Sequence, residues 1–257
     1  MEYKIAVLIT TFLRDKLLYK TIQSIVDNYT KDCIILIADQ GYNDEEKNIT
    51  IDYYKSQIPL EYFQLPFDCG LSAARNYLIR IANERNIPYI LMGADSIQFK
   101  QSYNFNPIIN FLESNDKIGL VGFDLENSKC KWEYFMEVTP KGIQFLESDI
   151  LVNYNEYIFK KVDICRNIFL VKTPTVLNLY DEELKLGEHE LAFLEYKKRG
   201  YEVYWTDKIG FVKCNNQSTG EYQEYRKRLG DYLKIVKQKL GITGWVIYPP
   251  ERKNKCK

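Results

Sequence analysis

The sequence predicts an α/β protein, a mixed and mostly parallel sheet flanked by helices. Through the first hundred residues, short apolar runs rich in β-branched residues alternate with stretches of helical period, the pattern of βαβ units. The run Tyr89-Ile90-Leu91-Met92 is apolar throughout, as expected of a central strand covered on both faces. Of the 257 residues, 46% are hydrophobic and 27% charged, enough apolar content for one large core and too much for a disordered chain.

Lys4 to Ile9 reads as the first strand, and the helix after it sets Leu18, Ile22, Ile25, Val26 and Tyr29 on one face. Cys33 to Ala38 is the second strand, with the polar stretch Gln40 to Glu46 leaving its carboxyl end. Leu60 to Gln64 is the third, followed by a helix striped by Ala74, Tyr77, Leu78, Ile81 and Ala82, with Ser72 as its N-cap. After the fourth strand, Asn104 to Asn115 is predicted helical, and Gly119 to Phe123 and Asp163 to Val171 extended. Residues 126–157 are aromatic and weakly periodic, and no element is assigned there. A helix over Glu188 to Arg199 stops at Gly200, and Glu202 to Thr206 is the next strand. One last helix, Glu221 to Leu240, carries Tyr222, Tyr225, Leu229, Tyr232, Leu233, Val236 and Leu240 on one side, a stripe read as core.

Lys plus Arg and Asp plus Glu are 35 each, so no global field draws the chain to nucleic acid. The longest apolar runs are five residues, against the roughly 20 of a membrane-spanning helix, and the amino terminus lacks a signal-peptide run. A cytoplasmic protein is expected, with the basic tail Glu251 to Lys257 solvated or touching the anionic inner face of a membrane. The six cysteines are at least 35 residues apart with no CxxC pair, and are read as reduced packing thiols.

In an open α/β sheet ligands gather at the carboxyl ends of the strands. The residues there are Thr10, Thr11 and Arg14 after strand one, Asp39 after strand two, Asp68, Gly70, Ser72, Arg75 and Asn76 after strand three, and Gly93-Ala94-Asp95-Ser96 after strand four. A strand-end acid is a common way to present a carboxylate to a divalent ion beside a diphosphate. Asp39 could equally be a turn former before Gly41, and Asp95 a loop acid or N-cap.

These residues resemble a known family. Thr10-Thr11-Phe12 with Arg14, Ile37-Ala38-Asp39-Gln40-Gly41, Gly70-Leu71-Ser72-Ala73-Ala74-Arg75-Asn76 and Asp95 are similar, in order and spacing, to the nucleotide-binding half of GT-A glycosyltransferases of family 2. Val162 to Leu170 with Tyr180 to Glu190 resembles the acceptor-side segment of β-1,4-N-acetylgalactosaminyltransferases of the ganglioside-synthesising type and their microbial relatives. The resemblance implies a Rossmann-like GT-A domain over residues 1–240, with residues 1–100 binding nucleotide, 101–240 binding acceptor, and 241–257 an extension.

The resemblance also implies an inverting transfer of an N-acetylhexosamine or hexose from a UDP-sugar to a saccharide acceptor, which can be lipid-linked, as in surface polysaccharide or glycolipid synthesis. Thr10, Arg14 and Asp39 would contact uracil and ribose, Thr11 and Gly70 would belong to the same nucleotide site, and Arg75 would lie near the diphosphate. Asp95 would bind Mn²⁺ or Mg²⁺, and the base would fall in Glu188-His189-Glu190. Three departures stand out. Gly93 and Ala94 occupy the places of two further acids, leaving Asp95 as the single carboxylate. Lys213 falls near the place of a histidine ligand and is a candidate to neutralise the diphosphate instead of a cation. His189 takes the place of the usual Asp in the base motif, so the base can be His189, Glu188 or Glu190. Two other readings are a nucleotidyltransferase, which ought to show a glycine-rich loop after strand one, and a non-catalytic sugar-nucleotide or glycan-binding module, which the missing acids would suit.

Overall fold

The apolar runs at the start of the chain form the buried centre of a parallel sheet. The computed structural model describes residues 3–28, 32–126, 128, 130–214 and 220–249. The first half holds β1 (Ile5–Thr11), α1 (Asp15–Asp27), β2 (Cys33–Asp39), α2 (Glu45–Lys55), β3 (Leu60–Gln64), α3 (Leu71–Glu84), β4 (Tyr89–Met92), β5 (Ile97–Gln98) and α4 (Asn106–Glu113). The second half holds β6 (Ile118–Leu125), β7 (Phe135–Thr139), β8 (Gly142–Leu146), β9 (Leu151–Tyr154), β10 (Tyr157–Val162) and β11 (Phe169–Lys172). It continues with α5 (His189–Lys198), β12 (Glu202–Lys213), α6 (Glu221–Lys227), α7 (Leu229–Leu240) and β13 (Val246–Ile247).

The large sheet runs β3-β2-β1-β4-β11-β6-β12-β10-β9, with β5 pairing off its path to β12. Its first four strands are parallel, β11 enters antiparallel beside β4, and β6 and β12 pair in parallel. This is the mixed α/β sheet flanked by helices that the sequence predicts. The period of a strand sorts its side chains into two layers. Ile5, Val7 and Ile9 of β1 enter one cluster with Leu18 and Ile22 of α1 and Phe111 of α4, while Ala6 and Leu8 enter the other with Leu78 of α3 and Phe193 and Tyr196 of α5. A smaller sheet, β13-β8-β7, occupies much of the stretch left unassigned from sequence.

Several expectations need correction. Ser72 does not cap α3: the N-cap is Gly70 at φ 101°, and Ser72 sits inside the first turn. Helix α2 was not foreseen; Asp44 caps it by accepting from the Lys47 amide at 2.8 Å, and its first turn is so polar that the buried Lys47, Ile51 and Tyr54 give only a faint stripe. The strand expected over Asp163 to Val171 is confined to Phe169–Lys172, since the chain from Asp163 to Ile168 turns between β10 and β11. The last helix is two helices that part at Arg228, and within them only Val236 is buried, so its stripe is not core. Cys33, Cys69, Cys165 and Cys214 are free thiols, but Cys130 is disulfide-bonded, against the expectation of six reduced thiols. Tyr29 and the tail Glu251 to Lys257 lie outside the described residues. The described residues contain no helix long and apolar enough to cross a membrane.

Candidate functional site

The carboxyl edge of the parallel strands brings most of the expected residues together. Thr11 and Asp39 lie side by side in the β1–β2 register, and β4 ends beside Leu8, so the segment Gly93-Ala94-Asp95 folds back across the end of β1. Asp95 is fully buried. Its Oδ2 accepts from Thr11 Oγ1 at 2.9 Å and from Arg14 Nε at 2.9 Å, Arg14 Nη2 donates to Oδ1, and Thr21 Oγ1 donates to its carbonyl at 2.9 Å. Burial pushes this carboxyl up, and Arg14 and Thr11 pull against it. Asp39 is fully buried as well: Oδ1 accepts from the Gly41 amide at 2.7 Å, and Oδ2 from Lys47 Nζ at 2.8 Å and the Tyr62 hydroxyl at 2.7 Å.

Helix α3 starts where the β3 loop passes closest to the segment before α5. A Cβ on Gly70 would stand 2.8 Å from Lys185 Cα, so only glycine fits there, and its positive φ asks for glycine too. In the first turn, Ser72 Oγ and Arg75 Nε are buried donors with no protein partner. The other end of the Arg75 guanidinium donates from Nη1 to Glu188 Oε1, and the group lies 4.9 Å over the Tyr180 ring. Asn76 closes a pair of bonds with the Tyr180 backbone at 2.7 and 3.2 Å, tying α3 to the segment that carries the expected base.

Two cavities open along this edge. Thr10, Thr11, Arg14, Gly70 and Arg75 line the first; Arg75, Glu188, His189, Glu190 and Lys213 line the second. They share Leu71, Arg75, Ala94 and Arg226. Asp39 and Asp95 line neither, which sets both behind the wall. The first cavity is narrow, about 100 Å³, because α6 folds over it. Phe12 meets Tyr225 edge-on at 4.9 Å, Tyr42 stacks on Phe67 at 4.6 Å, Arg14 lies 4.6 Å over Tyr222, and Arg228 forks onto Asp68 at 2.8 and 2.9 Å. The second cavity measures about 470 Å³ and carries Trp132 and Trp245 beside the base segment.

His189 opens α5. Its Nδ1 lies 2.7 Å from Asn167 Oδ1 and its ring meets Trp132 edge-on at 5.5 Å. Desolvation lowers its pKa to about 4 in spite of the nearby Glu188 charge, so the imidazole is neutral around pH 7. The ring also hydrogen-bonds the Cys165 backbone carbonyl, so His189 is held from two sides, by Asn167 and by Cys165. Glu188 is ion-paired to Arg75, and Glu190 is buried.

The donor set does not fit a divalent ion. Such ions take several hard oxygen ligands, whereas Asp95 has both oxygens committed and residues 93 and 94 carry no donor side chain. Among the described residues no group of three or more His, Cys, Asp or Glu side chains could hold a metal. The expectation that Asp95 binds Mn²⁺ or Mg²⁺ is therefore not met by its surroundings.

Sequence reasoning missed Tyr222, Tyr225 and Arg226, whose stripe was legible but read as core, and Trp132 and Trp245, which no spacing marks.

Residues 6–161, more than half of the chain, match the family described as Glycosyl transferase family 2. The chain belongs to glycosyl transferase family 2. No curated protein matches it. Among solved structures, this family 2 glycosyltransferase resembles S. aureus TarS 1-349 in complex with UDP-GlcNAc at 12% identity and TM-score 0.62, covering 91% of this chain and 66% of that one. It also resembles the mannosyltransferase PcManGT from Pyrobaculum calidifontis in complex with GDP-Man and Mn²⁺, at 12% identity and TM-score 0.62, covering 92% and 65%. A third is GalNAc-T7 with UDP, GalNAc and Mn²⁺, at 11% identity and TM-score 0.63, covering 94% and 55%. The chain thus spans under two thirds of the length of these three structures, and the likeness to them is one of fold.

Proposed function

We propose that this glycosyltransferase moves an N-acetylhexosamine or hexose from a UDP-sugar to a saccharide acceptor, with inversion at the anomeric carbon. One observation carries the reading: a cation-rich cavity at the carboxyl edge of the sheet continues, past Arg75 and Arg226, into a second cavity that holds a neutral imidazole. The first has the charge for a nucleoside diphosphate; the second has the volume and the tryptophan faces for a sugar. The narrowness of the first cavity calls for α6, which carries Arg226, to swing outward as a nucleotide enters and to close back over its diphosphate. Thr10, Thr11, Arg14 and Gly70 then border the nucleotide, Asp39 shapes its pocket from behind, and Arg75 faces the diphosphate.

In this reading the acceptor enters beside Trp132 and Trp245. His189 takes the proton from its hydroxyl as the oxygen attacks from the face opposite the leaving diphosphate. Glu188 orients Arg75, and Glu190 is the reserve base. The closeness of residues 162–190 to the β-1,4-N-acetylgalactosaminyltransferases favours UDP-GalNAc or UDP-GlcNAc as donor, and the basic tail Glu251 to Lys257 suits a lipid-linked acceptor at the inner face of a membrane.

The test is UDP release from a panel of UDP-sugars offered with mixed saccharide acceptors, using wild type, Glu188→Gln, His189→Ala and Glu190→Gln. His189→Ala is expected to lose about 10²- to 10⁴-fold in kcat with UDP affinity kept. Binding of UDP-sugar without any release would make the chain a binding module, and release of pyrophosphate from a nucleoside triphosphate would make it a nucleotidyltransferase.

A further inference from the structure

We propose that this transferase works without a divalent cation, the negative charge of the departing diphosphate being taken by Arg75 and Arg226 where the two cavities meet. The inference rests on the UDP-sugar reading above, which supplies the leaving group.

The acid after β4 is already spent. Arg14 holds both oxygens of Asp95, Thr11 takes a further lone pair, and the carboxylate is fully buried outside both cavity walls. A metal ion at Asp95 would have to displace Arg14 and then sit beside the guanidinium it displaced, with no second carboxylate from residues 93 and 94 to offset the repulsion. Internal pairing has made a neutral brace out of what elsewhere could be a ligand.

The sign of the cavity argues the same way. Arg14, Arg75, Lys185, Arg226 and Arg228 line the first cavity; Arg14 is neutralised by Asp95, Arg75 by Glu188, and Lys185 and Arg228 share Asp68, which leaves a net excess of about two positive charges, with Arg226 as the cation in no ion pair among the described residues. A chain whose Lys plus Arg equals its Asp plus Glu, at 35 each, has gathered this positive excess locally. Such a wall repels a divalent cation and concentrates a polyanion.

Two of these cations have donors to spare at the junction. Arg75 lines both cavities at 2% exposure, and its Nε is a buried donor with no partner among the described residues. Arg226 lines both cavities, and its side chain makes no hydrogen bond or ion pair among the described residues. In the transfer the acceptor oxygen bonds to the anomeric carbon and its proton passes to His189. The bond from the anomeric carbon to the β-phosphate oxygen breaks, and the electron pair stays on that oxygen. The diphosphate gains one negative charge, which Arg75 and Arg226 meet with charge-assisted hydrogen bonds.

The experiment is calorimetric titration of the full chain with UDP and, separately, with uridine, in EDTA and in MnCl₂, for wild type, Arg226→Gln and Arg226→Lys, together with UDP-sugar turnover in the same two buffers. UDP affinity and turnover are expected to be equal within about twofold in the two buffers. Arg226→Gln should weaken UDP roughly 10- to 100-fold while uridine is unaffected, and Arg226→Lys should recover part of the loss. Loss of UDP binding or turnover in EDTA, restored by MnCl₂, would overturn the proposal and leave the donor reading intact. Unchanged UDP affinity in Arg226→Gln would overturn it as well. If UDP binds in neither buffer, the donor reading falls and this inference with it.

Discussion

Arg14 grips Asp95 through two donors, with Nε 2.9 Å from Oδ2 and Nη2 on Oδ1, and this pair pins the end of β1 to the loop after β4. Asp95→Asn keeps the shape and removes the charge, stranding a guanidinium whose side chain is 21% exposed. Breaking a buried pair from one side costs roughly 3–5 kcal/mol, and the partial solvation of Arg14 favours the lower end. A drop in Tm of roughly 6–12 °C is expected for a domain of this size. A thermal melt matching wild type would show that the pair is not structural.

Lys47 of α2 plays the counterpart role toward Asp39 at the end of β2. Only 2% exposed, it donates to Asp39 at 2.8 Å and lies 2.9 Å from Asp15. Lys47→Met should leave Asp39 as a buried, under-compensated carboxylate and cost about 3 kcal/mol in urea unfolding. Asp39→Ala, expected from the sequence to weaken UDP directly, should instead do so in step with lost stability. A folded Asp39→Ala protein of normal Tm that binds UDP about tenfold more weakly, a loss of about 1.4 kcal/mol, would restore the direct contact.

His189 gives the protein an acid-side weakness. Its pKa is lowered to about 4 in the folded state, from an ordinary 6.5. Above pH 6.5 the ring is neutral folded or unfolded and contributes no pH dependence. Between about 6.5 and 4 the unfolded chain binds a proton that the folded one refuses, so stability falls as pH drops across that window. His189→Gln should flatten this limb in melts taken from pH 7 to 4; an unchanged slope would mean that the ring takes up its proton in place.

Gly142 joins the C-terminal segment to the second cavity. At φ 146° it would set a Cβ 2.1 Å from the Trp245 carbonyl, which accepts the Ile143 amide at 2.8 Å as β13 pairs with β8. Gly142→Ala should push Trp245 out of the cavity wall. Transfer to a saccharide acceptor is expected to lose affinity, read as a higher acceptor KM, with UDP affinity unchanged. An unchanged acceptor KM would remove Trp245 from the acceptor site.

The sequence by itself determined the parallel half of the sheet. In β1, β2 and β4 the register of an apolar run is enough, because every side chain is buried by helices whose stripes are equally local. It also determined which polar residues stand at the strand ends, and hence that Thr10, Arg14, Gly70 and Arg75 share one edge. Only the tertiary structure decided what those residues are bonded to. Arg14 and Asp95 are 81 positions apart, Arg75 and Glu188 are 113, and no local pattern states that such charges cancel. The same limit hid the site in the last helices. Tyr222, Tyr225 and Leu233 have the spacing of a core stripe, and whether such a stripe meets a sheet or roofs a cavity depends on where the preceding loop delivers it. The chain's periodicity fixes a face; what that face meets is set by contacts distant in sequence.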